Sequence, residues 1–310
     1  MHTLSKKFFV VVVFGLITIL FSCDPLSGNN QKIYKVAMLT EKPIDGQDWE
    51  EKGYAGLLNI KETFDVDIIV KENVYTEEQI TETVDELAKQ GVNLIFGHSS
   101  IYGKTFTEIS STYSDIHFVY FDGGYYADRV TSINFNSHAM GFFGGMVASR
   151  MTKTNEVGVI AAYEWQPEIE GFFEGAKYED PSTHVQVQYI NDWNDQDVVL
   201  NIYESMRDNG VDTFYPAGDS FSRGIIEQAE EDQLYVIGYI ADQSEISPKT
   251  VLTSTVQNVE KLYELIATKF NDDELPSRVL SFDFEDNLIY LGTFSPDVPK
   301  EFQQLLIEEV

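Results

Sequence analysis

Aromatic and acidic side chains recur close together along this 310-residue chain, in a pattern suited to holding a small molecule. The positions are Asp45, Trp49, Asp122, Tyr125, Trp165, Asp192, Trp193, Asp219 and Asp242. They include all three tryptophans. Aromatic rings stack on planar ligands, and carboxylates accept hydrogen bonds from ligand hydroxyl groups. The pattern favours a binding site for a small planar molecule over the alternative, in which loops pack their own aromatic side chains.

Catalytic and metal-binding chemistry find little support in the residue pattern. His98 lies beside Ser99 and Ser100, but adjacency along a chain does not create a nucleophile–base pair, and no G-x-S-x-G motif is present. Residues 191–197 are rich in side-chain oxygens but lack the central Gly and the final Glu of an EF-hand, so a helix N-cap explains them better. Cys23 is the single cysteine, and the five histidines are scattered. We therefore expect no catalytic residue, no cofactor and no metal site.

The N-terminal segment has the layout of a secretory signal. Lys6 and Lys7 precede an apolar run at 8–21, which is too short for a comfortable transmembrane span. The "LFSC" that ends at Cys23 resembles a bacterial lipobox, in which the Cys becomes the lipidated first residue. We predict a lipoprotein signal peptide at 1–22, lipidation of Cys23 and a polar tether at 23–32. The alternative is an uncleaved anchor with an incidental Cys. The predicted location is the extracytoplasmic face of the cell membrane, held there by the lipid.

The charge of the chain is strongly negative. It has 51 acidic and 21 basic residues, which give a formal net charge of −30. Nucleic acid phosphates repel such a surface, so we expect no direct contact with DNA or RNA. Any effect on gene expression would then be indirect, relayed across the membrane.

Short apolar runs alternate with longer amphipathic segments from residue 33 onward. The predicted strands are 33–39, 65–70, 93–97, 117–122, 130–136, 156–162, 185–190, 212–218, 234–240 and 251–256. The predicted helices are 48–64, 76–91, about 103–113, 137–151, about 168–178, 197–210, 222–232 and 258–270. This alternation is typical of an α/β protein with parallel sheets and helices on both faces. The length exceeds one such core, so we expect two doubly wound lobes.

The aromatic and acidic residues follow the predicted strands. In open α/β sheets, ligands bind beyond the carboxyl ends of the strands. The predicted topology therefore gathers these side chains at one cleft.

Seven segments, in order, resemble one known family. They are "IDGQDWEEKGYAGL" (44–57), "SINFNSHAMGFFGGMVA" (132–148), "VGVIAAYEWQPEIEGFFEGAK" (157–177), "YINDWND" (189–195), "YPAGDSFSRGII" (215–226), "VIGYIADQ" (236–243) and "VLTSTVQNVEKLYE" (251–264). The chain is similar over nearly all of 33–310 to the BMP/PnrA-type basic membrane lipoproteins. These are bacterial substrate-binding proteins with a two-lobed, type I periplasmic-binding-protein-like fold. Many of them bind purine nucleosides for ABC import.

The resemblance implies roles for five residues. Asp45 matches the family's N-terminal acidic residue, and Tyr54 falls where an aromatic side chain stacks on the base. Trp193 matches the opposing aromatic residue. Gly218 matches a glycine that lets the backbone approach the ligand, and Asp122 occupies a further acidic position.

Three positions depart from the family pattern. Ile240 stands where the family has an Asp that binds ribose hydroxyls, although Asp242 follows it. Gln257 replaces a Lys, and Glu50 replaces an Asn. A buried hydroxyl left unpaired costs roughly 1–3 kcal/mol. The resemblance therefore implies either a changed ligand or no small ligand.

We expect a small-molecule-binding lipoprotein rather than an enzyme, with a nucleoside-like ligand in an altered pocket. The predicted ligand-binding residues are Asp45, Trp49, Tyr54, Asp122, Trp193, Gly218 and Asp242. The predicted lobes are 33–135 plus about 256–285, and 136–255 plus about 286–310. The expected form is a monomer that works with an ABC permease or a regulatory protein. The alternative is a regulatory lipoprotein, similar to a Bacillus branch of the family, that acts indirectly on competence genes without a nucleoside ligand.

Overall fold

The apolar runs form strands and the amphipathic segments form helices, as their side-chain periods predict. The computed structural model describes residues 32–193 and 195–309. The strands are β1 (Lys35–Leu39), β2 (Asp67–Lys71), β3 (Leu94–Gly97), β4 (His117–Phe121), β5 (Val130–Phe135), β6 (Glu156–Ala161), β7 (His184–Tyr189), β8 (Thr213–Ala217), β9 (Tyr235–Ile240), β10 (Val251–Gln257), β11 (Val279–Phe282) and β12 (Ile289–Leu291). The helices are α1 (Asp48–Phe64), α2 (Glu77–Lys89), α3 (Tyr102–Ile109), α4 (Ser137–Met151), α5 (Pro167–Glu179), α6 (Gln196–Asp208), α7 (Ser222–Asp232), α8 (Val259–Asn271) and α9 (Lys300–Glu309).

Three of these elements were not predicted from the sequence. β11 and β12 have four and three residues, too few to show an alternating pattern. α9 carries exposed apolar residues, Leu305 and Ile307, which blur its amphipathic pattern. The predicted helix near 103–113 ends earlier, because α3 stops at Ile109 and a 3₁₀ turn follows at Ser110–Thr112. The other predicted boundaries agree with the structure to within about two residues.

Two six-stranded sheets organise the described residues. The first sheet has the strand order β11-β5-β4-β3-β1-β2, and the second has β12-β10-β9-β8-β6-β7. Neighbouring strands run parallel, except that β12 is antiparallel to β10. Ile33–Val310 forms one compact unit that contains both sheets. The predicted α/β fold with two doubly wound sheets is confirmed.

Each sheet is covered on both faces, as parallel sheets require. Along β1, Val36 and Met38 face a core that includes residues of α1 and α8, whereas Ala37 and Leu39 face a second core with residues of α2 and α3. The second sheet has the same arrangement of two cores. Alternate residues of one strand therefore bury against helices on opposite sides.

The chain passes between the two sheets three times. It leaves the first sheet after β5, returns after β10 and leaves again between β11 and β12. The first two passages end in the helix N-caps Asn136 and Asn258, whose side chains accept hydrogen bonds from the amides of Ala139 and Lys261. The division into two lobes with boundaries near 135, 255 and 285 stays a prediction.

Helices α4 and α5 pack unusually close together because glycines face each other. A Cβ atom at Gly145 would overlap the carbonyl oxygen of Phe172, and one at Gly175 would overlap that of Phe142. The overlapping atoms are backbone, so they cannot move aside as a flexible side chain would. This explains the glycine-rich sequence of α4 as a packing feature.

The predicted signal peptide, Cys23 and residues 24–31 of the tether lie outside the described residues. Of the helices that are described, none combines the length and apolar character needed to cross a bilayer.

Candidate functional site

A cleft of about 660 Å³ lies between the two sheets, at the carboxyl ends of their strands. The first sheet contributes the segments that follow β1, β3, β4 and β5, together with the start of α1. The second sheet contributes the segments that follow β6, β7 and β8 and the ends of β9 and β10. The lining residues from the first sheet are Glu41, Lys42, Gln47, Trp49, Glu50, His98, Ser99, Ser100, Ile101, Asp122, Gly123, Gly124, Asn134, Phe135 and Ser137. Those from the second are Tyr163, Trp165, Gln166, Pro167, Glu168, Trp193, Asp219, Tyr239, Ile240 and Gln257.

Trp49 is fixed on the cleft wall by His98. The two rings stack with centroids 4.5 Å apart, and Trp49 Nε1 donates to the His98 carbonyl oxygen at 3.0 Å. His98 Nε2 donates to the Trp49 carbonyl oxygen at 2.8 Å, so Nδ1 accepts from the Tyr263 hydroxyl at 2.9 Å. Burial lowers the pKa of His98 to about 4, which keeps the ring neutral. His98 therefore acts as a hydrogen-bonded support for Trp49.

Trp49 also joins the two sides of the cleft. Its backbone amide donates to Asp219 Oδ1 at 3.3 Å, across from the start of α1 to the segment after β8. Its side chain packs against core residues of both sheets. This position makes Trp49 sensitive to any change in the separation of the sheets.

Two buried carboxyl groups, Glu50 and Asp219, belong to this part of the wall. Glu50 is 7% exposed and Asp219 is 9% exposed. Burial raises the pKa of Glu50 to about 7, and the neighbouring charge of Asp219 adds to the effect. Burial raises the pKa of Asp219 to about 6, with a further contribution from the charge of Asp48. Both groups hold protons more tightly than a carboxyl group in water.

Asp122 and Glu168 form a second acidic part of the wall. Burial between the sheets raises the pKa of Asp122 to about 7, and the charge of Glu168 contributes. The Asp122 side chain nevertheless remains accessible from the cleft. Burial also raises the pKa of Glu168, against the opposing effect of hydrogen bonds that Gln166 Nε2 and the Tyr239 hydroxyl donate to Oε1, both at 2.9 Å.

Three aromatic rings lie together on the second-sheet side of the cleft. Tyr163 and Trp165 stack with centroids 5.5 Å apart, and Trp193 packs edge-on against both at 5.2 and 5.9 Å. Trp165 is 64% exposed, so much of its ring surface is open. An open indole face beside a cleft provides a surface on which a flat ligand stacks.

The three positions that depart from the family pattern all line the cleft. They are Glu50, Ile240 and Gln257. Ile240 has a φ of 63°, a conformation that is unfavourable for a β-branched side chain. The Gln257 amide lies 3.9 Å from the sulfur of Met140. The changes therefore alter the chemistry of the cavity wall and not a distant surface.

The structure brings three of the seven predicted ligand-binding residues to the cleft wall: Trp49, Asp122 and Trp193. Asp45 is exposed in the loop before α1, and Tyr54 packs on the core of the first sheet. Whether any of the predicted residues contacts a ligand stays a prediction.

Gly218 and Asp242 also lie away from the cleft wall. Gly218 precedes Asp219 and lies so close to the Phe221 ring that a Cβ would overlap it. Asp242 Oδ2 accepts hydrogen bonds from the amide and hydroxyl of Thr293 at 2.9 and 2.7 Å. Although burial acts to raise the pKa of Asp242, these bonds and others from Ser244 lower it below its usual range. Asp242 therefore holds a loop of the second sheet.

The expectation that ligands bind beyond the carboxyl ends of the strands did not identify the polar groups that lie beside the predicted aromatic residues. Gln166, Glu168 and Tyr239 form one hydrogen-bonded group on the wall, in which Gln166 Nε2 also donates to the Ala217 carbonyl oxygen at 3.1 Å. Gln166 directly follows the predicted Trp165, and that adjacency is the signal that could have found it. Glu50 carries a second signal, because it shares the buried face of α1 with Gly53, Leu57 and Ile60.

Comparison with known proteins places the chain in a family. The Bmp family model, described as ABC transporter substrate-binding protein PnrA-like, matches residues 33–310. The chain is 45% identical over 297 residues to the transcriptional activator protein med of Bacillus subtilis (strain 168), which covers 95% of this chain and 93% of that protein. It is 24% identical over 258 residues to basic membrane protein A of Borreliella afzelii, which covers 80% of this chain and 79% of that protein.

Solved structures show the same fold. A crystal structure of a transcriptional activator of the comK gene from Bacillus halodurans superposes with a TM-score of 0.83 at 42% identity, over 88% of this chain and 95% of that chain. A solute-binding protein of an ABC transporter system from Aeropyrum pernix K1 superposes with a TM-score of 0.73 at 16% identity, over 89% and 80% of the two chains. The resemblance predicted from the seven segments is confirmed, including the similarity to the Bacillus regulators. The chain belongs to the PnrA-like family of ABC transporter substrate-binding proteins.

Proposed function

We propose that this protein binds one small planar molecule in the cleft between its two sheets. The observation that carries the proposal is the cleft itself, a cavity of about 660 Å³ at the carboxyl ends of the strands. Its volume is in the range of known ligand pockets, roughly 300–1,000 Å³. All three tryptophans of the chain reach its wall, among carboxyl, amide and hydroxyl groups that orient a ligand. Membership in a substrate-binding family supports the same use.

Purine nucleosides are the first ligands to consider, because the sequence resembles nucleoside-binding lipoproteins. The altered residues Glu50, Ile240 and Gln257 line the cavity. Ile240 cannot accept a hydrogen bond from a sugar hydroxyl, and Gln257 carries no charge. Two lost polar contacts, at roughly 1–3 kcal/mol each, reduce the affinity for a nucleoside by about two to four orders of magnitude. We therefore expect a nucleoside-like ligand with different polar groups.

The proposal includes attachment to the extracytoplasmic face of the membrane through a lipid on Cys23. The signal-like segment before Cys23 and the lipobox-like "LFSC" support it. In a bacterial host, the full chain should fractionate with membranes and incorporate labelled fatty acid. A Cys23→Ser variant should lose the label. Equal labelling of the variant would contradict the anchor.

Thermal unfolding tests ligand binding directly. The purified full chain is heated with purine and pyrimidine nucleosides, free bases and planar nitrogen compounds, one at a time. A ligand at one hundred times its Kd adds about 2.7 kcal/mol to stability, which raises the melting temperature measurably. Trp193→Ala should reduce the shift to about half or less, whereas Tyr34→Ala, at a site 71% exposed and outside the cleft, should keep it. A flat response across the panel would count against a small-molecule site.

A regulatory role is the second candidate, and one observation favours it. The relatives at 45% and 42% identity are both described as transcriptional activators. The net charge of −30 argues against direct contact with DNA, so such a role would act through a protein partner. The test is expression of this chain in a Bacillus subtilis strain that lacks its med relative, with comK transcription as the readout. Restored transcription that survives Trp193→Ala would support regulation without a cleft ligand.

A further inference from the structure

Glu50 is a buried carboxyl group that no other described residue neutralises by an ion pair, although the charge of Lys42 acts on it. It is 7% exposed and lines the cleft in the first turn of α1. Its own backbone amide hydrogen-bonds to it, and among the described residues no other group donates a hydrogen bond to its carboxylate or forms an ion pair with it. Buried charged groups in proteins are normally paired. A side chain that destabilises the fold in this way needs a compensating function.

Lys42 is the cation whose charge acts on Glu50 and Asp219, where it opposes part of the rise in their pKa values. Within the described residues, Asp219, Asp122 and Glu168 form no ion pair with Lys, Arg or His. The cleft wall carries five carboxyl groups, including Glu41, and one cationic residue, Lys42. At pH 8, above the raised pKa values of Glu50, Asp122 and Asp219, the cleft wall therefore has an excess of hydrogen-bond acceptors and negative charge.

Aromatic rings surround these carboxyl groups. Trp49 directly precedes Glu50, and Trp165 lies three residues before Glu168. Indole rings attract cations through their π-electrons, and they also stack on flat molecules. The same environment repels anions, because the carboxylates offer no hydrogen-bond donors and their charge has the same sign.

We propose that the cleft recognises a planar organic cation, whose positively charged, hydrogen-bond-donating group takes its counter-charge from Glu50 and the neighbouring cleft carboxylates. This inference rests on the proposed ligand-binding function and specifies the charge of the ligand. A flat, protonated nitrogen base fits the cavity, as does a nucleoside that carries a cationic ring. Nucleotides and other phosphate esters do not fit, because their phosphate would face the carboxylates. The ligand supplies the ion-pair partner that Glu50 lacks among the described residues.

Three related molecules separate charge from shape. Nicotinamide riboside is a nucleoside with a planar pyridinium cation, and its reduced form has nearly the same shape without the charge. Nicotinamide mononucleotide adds a phosphate to the cation. Calorimetry on the full chain at pH 8, with thiamine as a second planar cation, measures the affinity of each probe. We expect at least one of the two cations to bind roughly tenfold or more tightly than the reduced riboside, and the mononucleotide to bind more weakly than the riboside.

Glu50→Gln is the diagnostic variant. It should weaken binding of the cation by roughly tenfold or more and change binding of neutral probes less than threefold. Glu62→Gln is the matched control, because Glu62 is exposed on the same helix and lies outside the cleft. The control should bind like the unaltered protein.

The outcomes distinguish this inference from the proposed function. A neutral nucleoside that binds as tightly as the cations would overturn the cationic ligand and leave the binding function standing. A cation whose affinity is the same in Glu50→Gln would also overturn it. If these probes and the wider nucleoside panel all leave the protein unchanged, both the inference and the proposed function are wrong.

Discussion

Glu50→Gln should stabilise the folded protein at pH 8 and leave its stability nearly unchanged at pH 5. The pKa of Glu50 rises from 4.5 to about 7 on folding, because burial disfavours the charged form. Below pH 4.5 the group is neutral in both the folded and unfolded states. As the pH rises towards 7, the unfolded chain loses its proton first, so the free energy of unfolding falls. The sign follows from the raised pKa: the contribution of Glu50 to stability is present at low pH and is lost through pH 7.

The size of the effect follows from the same two pKa values. Each pH unit between them corresponds to about 1.4 kcal/mol, so ionised Glu50 reduces the free energy of unfolding at pH 8 by roughly 3 kcal/mol. A glutamine removes the charge but keeps a buried polar group that has no partner, which costs about 1–2 kcal/mol. The expected net gain at pH 8 is therefore about 1–2 kcal/mol.

Urea unfolding at pH 5 and pH 8 measures this difference. The unaltered protein, Glu50→Gln and the exposed control Glu62→Gln are compared at each pH. The effects of the other titratable groups on stability then cancel, because all three proteins share them. Only Glu50→Gln should gain stability between pH 5 and pH 8 relative to the unaltered protein. If Glu50→Gln is less stable than the unaltered protein at pH 8, or if the difference does not depend on pH, ionised Glu50 does not destabilise the fold and the reasoning is refuted.

Three further predictions concern binding and packing. Trp193→Ala should lower the affinity for any cleft ligand by roughly tenfold or more, because stacking is lost. Calorimetry measures this change, and an unchanged affinity would show that Trp193 is not part of the site. Gly175→Ala should destabilise the protein by about 2–3 kcal/mol in urea unfolding, because the new methyl group meets a backbone carbonyl of α4; Gly224→Ala, with nothing within 4 Å of the added Cβ, should not. The double variant Ile240→Asp with Gln257→Lys should bind inosine at least tenfold more tightly than the unaltered protein, and no gain would show that these positions do not contact the ligand.

The order of strands and helices along the chain could be predicted, because the local sequence patterns agree with the final structure. The helix at 76–91 is an example: Thr76 and Gln79 form a capping box at the start of α2, and Gly91 follows its end with a φ of 77°. β11 and β12 could not be predicted, because strands of four and three residues are defined by their neighbours in the sheet. Their pairing with β5 and β10 depends on contacts distant in sequence.

The candidate site could be predicted only in part. Strand ends locate the loops around a cleft, which is why Trp49, Asp122 and Trp193 were expected on its wall. They do not show which side of a helix or loop faces inward. Tyr54 lies four residues after Glu50 on α1, yet its side chain packs against the core of the first sheet and not on the cavity wall.

The surroundings of Glu50 in the cleft could not be predicted from the sequence. Acidic residues in the first turn of a helix usually interact with the helix dipole at the surface, and Asp48 and Glu51 have the same type and lie in the same turn. Burial of Glu50 depends on the opposite sheet, which brings Asp219 to the start of α1. That contact joins residues 170 positions apart. The periodicity of α1 places Glu50 on the buried face of the helix, but no local pattern shows that this end of the face meets Asp219.

The most direct measurement is a crystal structure of the protein with the tightest-binding planar probe. We predict that the probe lies in the cleft, stacked on a tryptophan side chain, with a hydrogen-bond donor at about 2.7–3.2 Å from the Glu50 carboxylate. A probe that occupies the surface outside the cleft would contradict the proposed binding function. A probe in the cleft that leaves Glu50 without a contact would contradict the proposed recognition of a cation.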